Sequence, residues 1–226
     1  MVKVIKKIQD TKKIINSIDF DAHWYRRVFH TFGACFLIYY MLPTDIFLIN
    51  FLKSWLPLII VTIIIVLEIL RLRGKISSDH FFGLRVYEKN RVGSYVFFAV
   101  AILILLRFFP QQIAIPCILC ACLADPIMGE IRKRFKIKYD YIFGFIICML
   151  FFMVSWYNVD FKLLLIVSVI GSICAVIGET KKFWWIDDDF MIQMFPAVML
   201  LIIWFCIPYL GFSYPETIIY PGVIGG

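Results

Sequence analysis

Apolar runs close to twenty residues long recur between residues 28 and 212 of this sequence. A helix of about 20 residues is needed to cross the hydrocarbon core of a bilayer, and the mean hydropathy of +0.87 fits that use. We therefore predict an all-α, polytopic membrane helical bundle with about seven transmembrane helices. Turns containing Pro43 and Pro110 are expected to join the first pair of spans and the third to the fourth. The predicted spans are 28–50, 54–70, 92–109, 111–128, 139–157, 161–178 and 190–212.

The rest of the sequence is too short for a separate soluble domain. We expect residues 23–212 to form one transmembrane catalytic domain, followed by a short C-terminal tail at 213–226. Residues 1–22 are rich in lysine, and their apolar side chains recur at helical spacing. This pattern predicts a basic amphipathic helix lying in the membrane interface, with a disordered basic tail as the alternative.

Lysine and arginine are distributed unevenly between the predicted connections. Twenty of the 23 fall in residues 1–27, 71–91, 130–138 and 181–182. The positive-inside rule therefore predicts a cytoplasmic N-terminus and an external C-terminus. Because membrane topology accounts for the formal charge of +7, nucleic acid is not an expected partner.

Acidic residues gather at the ends of the spans predicted to be cytoplasmic. Glu179 ends the sixth span, Asp187, Asp188 and Asp189 begin the seventh, and Asp125 ends the fourth. Carboxylates so close to hydrocarbon are costly unless a cation shares them. We therefore predict a polar site at the cytoplasmic face, with scattered interfacial charge as the alternative.

Such a site has the two halves needed to bind a metal–triphosphate complex. Carboxylates hold Mg²⁺, usually together with nucleotide phosphates, and we assign Asp125, Asp188 and Asp189 as metal ligands. Asp125, Asp188 and Glu179 are the predicted catalytic residues, one carboxylate accepting the proton of an alcohol. The candidate nucleotide-binding residues are basic side chains near the same face, namely Arg71, Arg91, Arg132, Lys133, Arg134 and His30. For His30, a purely structural role is the alternative.

The order of these residues resembles the dolichol kinase and phytol kinase family, which is related to the phosphatidate cytidylyltransferases. The resemblance covers about residues 24–200 and uses Arg27, His30 and Gly33 in the first span, Arg85, Glu88, Arg91, Gly93 and Tyr95 around the third, and the acidic residues above. It implies a multi-span enzyme that phosphorylates an isoprenoid alcohol with CTP at the cytoplasmic face. Asp125 matches the family's Asp-x-x-Ala aspartate, Asp188 and Asp189 match its Asp-Asn pair, and Glu179 and Arg91 match a preceding Glu and the Arg before Gly-x-Tyr.

Two other functions are compatible with the sequence. A cytidylyltransferase would make a CDP-activated lipid with the same ions and nucleotide, but its Ser-x-x-Lys-Arg signature is not in this sequence. A small transporter is the alternative from another class, and it calls for polar or broken-helix positions near the bilayer midplane. The expected partners are therefore a nucleoside triphosphate, which the resemblance implies is CTP, together with a lipid alcohol and the bilayer itself.

Overall fold

The computed structural model describes residues 27–78, 81, 84, 86–135, 138–180 and 186–221. Every regular element in these ranges is helical, which confirms the predicted all-α class. The predicted interfacial helix at 1–22 lies outside the described residues, as does Arg85.

The described chain begins with a helical stretch that we call the N-terminal segment, residues 27–41. It contains a 3₁₀ helix at Gly33–Leu37 and a short α-helix at Ile38–Met41. Seven longer helices follow: α1 (Phe47–Leu72), α2 (Ser94–Phe108), α3 (Gln111–Leu119), α4 (Asp125–Arg134), α5 (Lys138–Ser155), α6 (Phe161–Thr180) and α7 (Asp188–Cys206). A π-helical turn, Cys120–Ala124, joins α3 to α4, and a 3₁₀ helix, Val86–Asn90, precedes α2.

Within the described residues, four helical stretches are long and apolar enough to cross a membrane. They are Phe47–Leu72, Gln111–Arg134, Phe161–Thr180 and Asp188–Cys206. The stretches Ser94–Phe108 and Tyr139–Ser155 are also apolar but shorter. These lengths support a membrane protein, whereas the count of seven transmembrane helices stays a prediction.

The predicted turn containing Pro43 is confirmed, but the predicted bounds of the first two spans, 28–50 and 54–70, were wrong. Helix was expected to continue to residue 50, but it ends at Met41 and α1 begins at Phe47. Leu42 has an extended backbone, with φ −66° and ψ 129°. Because a residue before proline is disfavoured in the helical region, Pro43 stops the helix early and places the turn at 42–46.

The core lies where α7 packs against α2, α3 and α6. Gly178 on α6 allows a close approach to α7: a Cβ there would lie 2.5 Å from the carbonyl oxygen of Met191. At the N-terminal end of α3, the Trp156 indole donates to the backbone carbonyl of Gln112 over 2.8 Å. The Gln112 side chain in turn donates to the carbonyl of Glu216 over 2.7 Å. These contacts join neutral groups, whereas the ion pairs among the described residues lie toward the far end of the 111–134 stretch.

Candidate functional site

Three side chains from separate parts of the chain meet at the charged end of the bundle. His30 lies on the N-terminal segment, Asp125 at the start of α4 and Asp189 in the first turn of α7. His30 Nδ1 is 3.6 Å from Asp125 Oδ2, and His30 Nε2 is 3.7 Å from Asp189 Oδ2. One ligand atom from each residue lies within 4.8 Å of the others. We call His30, Asp125 and Asp189 the polar cluster.

The local sequence explains how Asp125 and His30 come together. Asp125 follows the π-helical turn and precedes Pro126, which has no N–H to donate to a carbonyl four or five residues earlier. Ala121 lies five residues before Pro126, and its carbonyl oxygen is 3.5 Å from His30 Nδ1. π-Helical turns of this kind are frequent at functional sites. The interrupted helix thus offers His30 both a backbone carbonyl and a carboxylate.

The start of α7 brings three consecutive carboxylates together. Asp187 occupies the N-cap position with an extended backbone, φ −76° and ψ 154°, and Asp188 and Asp189 lie in the first turn. Their carboxylate oxygens lie within 4.8 Å of one another. At an effective dielectric constant of about 20, two ionised carboxylates at this separation repel by roughly 3 kcal/mol. The helix macrodipole offsets part of that repulsion, and a bound cation would offset more.

Glu179 reaches the same region from the end of α6, where Gly178 brings α6 close to α7. Its Oε1 accepts a hydrogen bond from Arg132 over 2.6 Å, and Arg132 also donates to Asp140 over 2.7 Å. Glu179 is buried, and no described residue donates to its Oε2. Arg132 thus links α4, α5 and α6 beside the acidic residues.

A second charged group, formed by Glu68 and Arg71 at the end of α1, is already saturated. Arg71 donates to Glu68 Oε2 and Oε1 over 2.6 and 2.7 Å, and to the carbonyls of Lys89 and Arg91 over 3.0 and 2.6 Å. Glu68 also accepts from the Gly93 N–H and the Tyr95 hydroxyl, each over 2.6 Å. We call this the Glu68–Arg71 hub. It ties the end of α1 to the connection before α2.

The other predicted basic residues lie on the surface. Arg91, Lys133 and Arg134 are exposed, and Arg134 donates to Glu130 over 2.7 Å. Glu130 also pairs with Arg27 of the N-terminal segment. Of the predicted site residues, the structure therefore groups His30 with Asp125 and Asp189, Asp188 with Asp189, and Glu179 with Arg132.

Sequence reasoning missed two members of this region as site residues. Asp140 is fully buried against Arg132, and its signal was an acid in the first turn of an apolar helix directly after a basic loop. Asp187 was noticed as part of an acidic run but was not assigned as a ligand. Its position immediately before the apolar periodicity of α7 was the sequence signal for an N-cap.

Comparison with known proteins gives no relative for this chain: no protein-family model, curated protein or solved structure matches it. A function must therefore be inferred from the arrangement of the polar cluster and from the order of residues along the chain.

Proposed function

We propose that this protein transfers the γ-phosphoryl group of CTP to a membrane isoprenoid alcohol, a dolichol-, polyprenol- or phytol-like lipid. The observation that carries the proposal is the convergence of His30, Asp125 and Asp189 from three elements at one end of an apolar bundle. Intramembrane or interfacial ionisable groups of this kind are expensive and usually functional. The lysine and arginine distribution predicts that this end is cytoplasmic, where nucleotide is available.

The oxygen-rich donor set fits a hard divalent cation. Mg²⁺ is usually held by one or two carboxylates plus substrate phosphates, and Asp125 and Asp189 offer carboxylates from two different helices within 4.8 Å of each other. Asp188 adds a third from the first turn of α7. Mg²⁺ at this place would neutralise charge on the transferred phosphoryl group.

Basic side chains lie at a suitable distance for the nucleotide. Arg132, Lys133 and Arg134 follow Asp125 by seven to nine positions on one helix, which is about 10 to 14 Å along the axis. Of these, Arg132 follows Asp125 by almost two full helical turns and so lies on the same face of α4, where a triphosphate extending from the carboxylates would reach it. Arg91 is exposed beside the hub and supplies a further candidate contact.

The proposed reaction is a direct phosphoryl transfer from CTP to the alcohol. The alcohol oxygen forms a bond to the γ-phosphorus, the bond from that phosphorus to the β–γ bridging oxygen breaks, and CDP leaves. The alcohol proton passes to a carboxylate or to the His30 imidazole of the polar cluster. Because phosphoryl transfer depends mainly on positioning and charge neutralisation, this constellation suffices without a covalent nucleophile. The resemblance to the dolichol kinase and phytol kinase family points in the same direction.

The test is transfer from γ-labelled CTP with Mg²⁺ to a panel of prenyl alcohols in detergent. We expect label in the lipid with the wild type, and loss of that label in Asp125→Asn and Asp188→Asn. Asp45→Asn changes an exposed acid in the 42–46 turn and serves as the matched control.

Other outcomes would favour the competing functions. If γ-label does not move but α-labelled CTP tags a phosphorylated lipid acceptor, the protein is a cytidylyltransferase. If neither label moves with any acceptor, the kinase proposal fails and the transporter alternative becomes the one to test.

A further inference from the structure

An apolar groove lies between the N-terminal segment, α1 and α2, beside the polar cluster. Its volume is about 370 Å³, within the range of roughly 300 to 1,000 Å³ typical of small-molecule sites. Among the described residues that line it, every side chain is apolar apart from the thiol of Cys35. Representative lining residues from the three walls are Phe29, Phe36, Pro57, Ile60, Ala99 and Leu103.

The groove and the polar cluster share a wall. Phe98 lines the groove, and its ring packs against the His30 imidazole with a centroid distance of 4.6 Å. Gly33 also lines the groove, and a Cβ at this position would lie 2.6 Å from Phe98 Cζ. Gly33 thus allows the N-terminal segment to pack closely on Phe98. The Phe98 ring lies between the groove and the His30 imidazole, which contacts Asp125 and Asp189.

Two irregular positions in the helices that form the walls accompany the opening of the groove at its rim. Pro57 inside α1 has no N–H for the carbonyl four residues earlier, and the N-terminal segment changes to 3₁₀ geometry at Gly33. Phe29 and Phe32 on the rim are 46% and 69% exposed. Because α1 is long and apolar enough to cross a bilayer, a hydrocarbon chain has access to the groove from the membrane.

We propose that this groove binds the hydrocarbon chain of the lipid alcohol and presents its hydroxyl group to the polar cluster; this inference rests on the proposed kinase function. Any lipid tail matches the apolar lining, so the choice of occupant depends on the polar end. In the absence of a bound cation, this group of neighbouring carboxylates disfavours the anionic headgroup of a phospholipid. A neutral hydroxyl carries no such penalty and can donate a hydrogen bond to a carboxylate or to His30.

A photo-crosslinking experiment tests the occupant without requiring catalysis. The purified full chain is irradiated in detergent with a diazirine-bearing prenyl alcohol, without nucleotide or Mg²⁺, and the labelled residues are mapped. We expect label on groove residues such as Ile60 and Leu103, removed by excess unlabelled prenyl alcohol and retained with excess phosphatidylglycerol. Label spread over the exposed apolar surface, or removed equally by phosphatidylglycerol, would overturn the proposal.

A matched pair of variants tests the groove independently. Ala99→Phe places a ring in the groove, whereas Val100→Phe introduces the same ring at the next α2 position, which is also half-buried but does not line the groove. We expect Ala99→Phe to reduce crosslinking and to raise the KM for the alcohol about tenfold, with the KM for CTP unchanged. Val100→Phe should keep both values, and the thermal transition of each variant checks that it is folded.

The outcomes separate this inference from the proposed function. Groove-specific label without any phosphoryl transfer would refute the kinase and leave the groove as a lipid-alcohol site. Normal transfer by folded Ala99→Phe, with crosslinks elsewhere, would refute the groove and leave the kinase. Asp125→Asn should lose transfer yet retain groove-specific label.

Discussion

The Glu68–Arg71 hub and the polar cluster are both built from charged side chains in an apolar bundle, but their geometries differ. In the hub, one carboxylate meets one guanidinium through bonds of 2.6 and 2.7 Å, and the Arg71 side chain is fully buried. In the polar cluster, His30 faces two carboxylates at 3.6 and 3.7 Å, beyond the usual range for direct hydrogen bonds. Asp187 and Asp188 add further negative charge there.

This difference distinguishes a structural charged group from a site that can accept a ligand. A buried pair with ideal geometry uses its hydrogen-bonding capacity internally, and removing one partner leaves an uncompensated charge. A group of carboxylates separated by wider gaps gains from a cation of suitable size. The hub should therefore control stability, whereas the polar cluster should control activity and metal response.

The largest expected effect is on stability, from Glu68→Gln. Neutralising Glu68 leaves the buried Arg71 guanidinium without its counter-charge, and we expect unfolding to become easier by about 3 to 5 kcal/mol. Thermal or denaturant unfolding in detergent measures this, with Asp45→Asn as the surface control. If Glu68→Gln unfolds like the wild type, the hub does not fix this part of the fold and the contrast with the polar cluster is lost.

The converse variant, Asp189→Asn, should separate activity from stability. Asp189 belongs both to the polar cluster and to the three consecutive carboxylates at the start of α7, and it is buried. Its neutralisation should lower phosphoryl transfer by about a hundredfold or more, an effect of the size seen when one electrostatic contact to a transition state is removed. Because Asp189 lies among other carboxylates, we expect the unfolding midpoint to change much less than it does in Glu68→Gln. A marked fall in the midpoint would instead place Asp189 with the structural residues.

A smaller effect on stability is expected from disturbing the close approach of α6 to α7 at Gly178. Gly178→Ala would bring a methyl group against the backbone of Met191 and Ile192, so it should destabilise the protein by about 1 to 3 kcal/mol. Gly129 lies inside α4, and a Cβ there would have no atom from another part of the described chain within 4 Å, so Gly129→Ala is the matched control. It should be neutral or stabilising by up to about 1 kcal/mol. Equal effects of the two changes would argue against tight packing of α6 on α7.

The sequence predicted a helical membrane protein because apolar runs of about twenty residues can satisfy their backbone hydrogen bonds within a bilayer by forming helices. It predicted a turn containing Pro43 but not the bounds of the helices on either side, Met41 and Phe47, because apolar residues flank the turn and hydropathy does not mark where the backbone leaves the helix. The π-helical turn at Cys120–Ala124 was also not anticipated. Its sequence contains only small and apolar residues, and its geometry depends on Pro126 and on packing against the N-terminal segment.

The sequence predicted which residues form the charged site, but not which of their side chains contact one another. A run of acids before α7 indicated a charged site, and Asp125 and Asp189 do meet. Which basic side chain contacts which acid depends on helix rotation and packing, so the sequence did not indicate that Arg71, a predicted nucleotide-binding residue, pairs with Glu68. In the same way, the partnership of Arg132 with Asp140 and Glu179 joins three helices and leaves no local sequence pattern.

The smallest predicted effect tests the metal response directly. Mg²⁺ bound to the folded protein but not to the unfolded chain stabilises it by about 1.4 kcal/mol at ten times the dissociation constant. We expect this shift in wild-type unfolding without nucleotide, and we expect Asp189→Asn and Asp125→Asn to lose it. Asp45→Asn should retain the full shift, because its carboxylate lies in the exposed turn. A shift that survives both aspartate substitutions would assign Mg²⁺ binding elsewhere, whereas its loss together with phosphoryl transfer would tie the cation to the polar cluster and leave the hub a purely structural group.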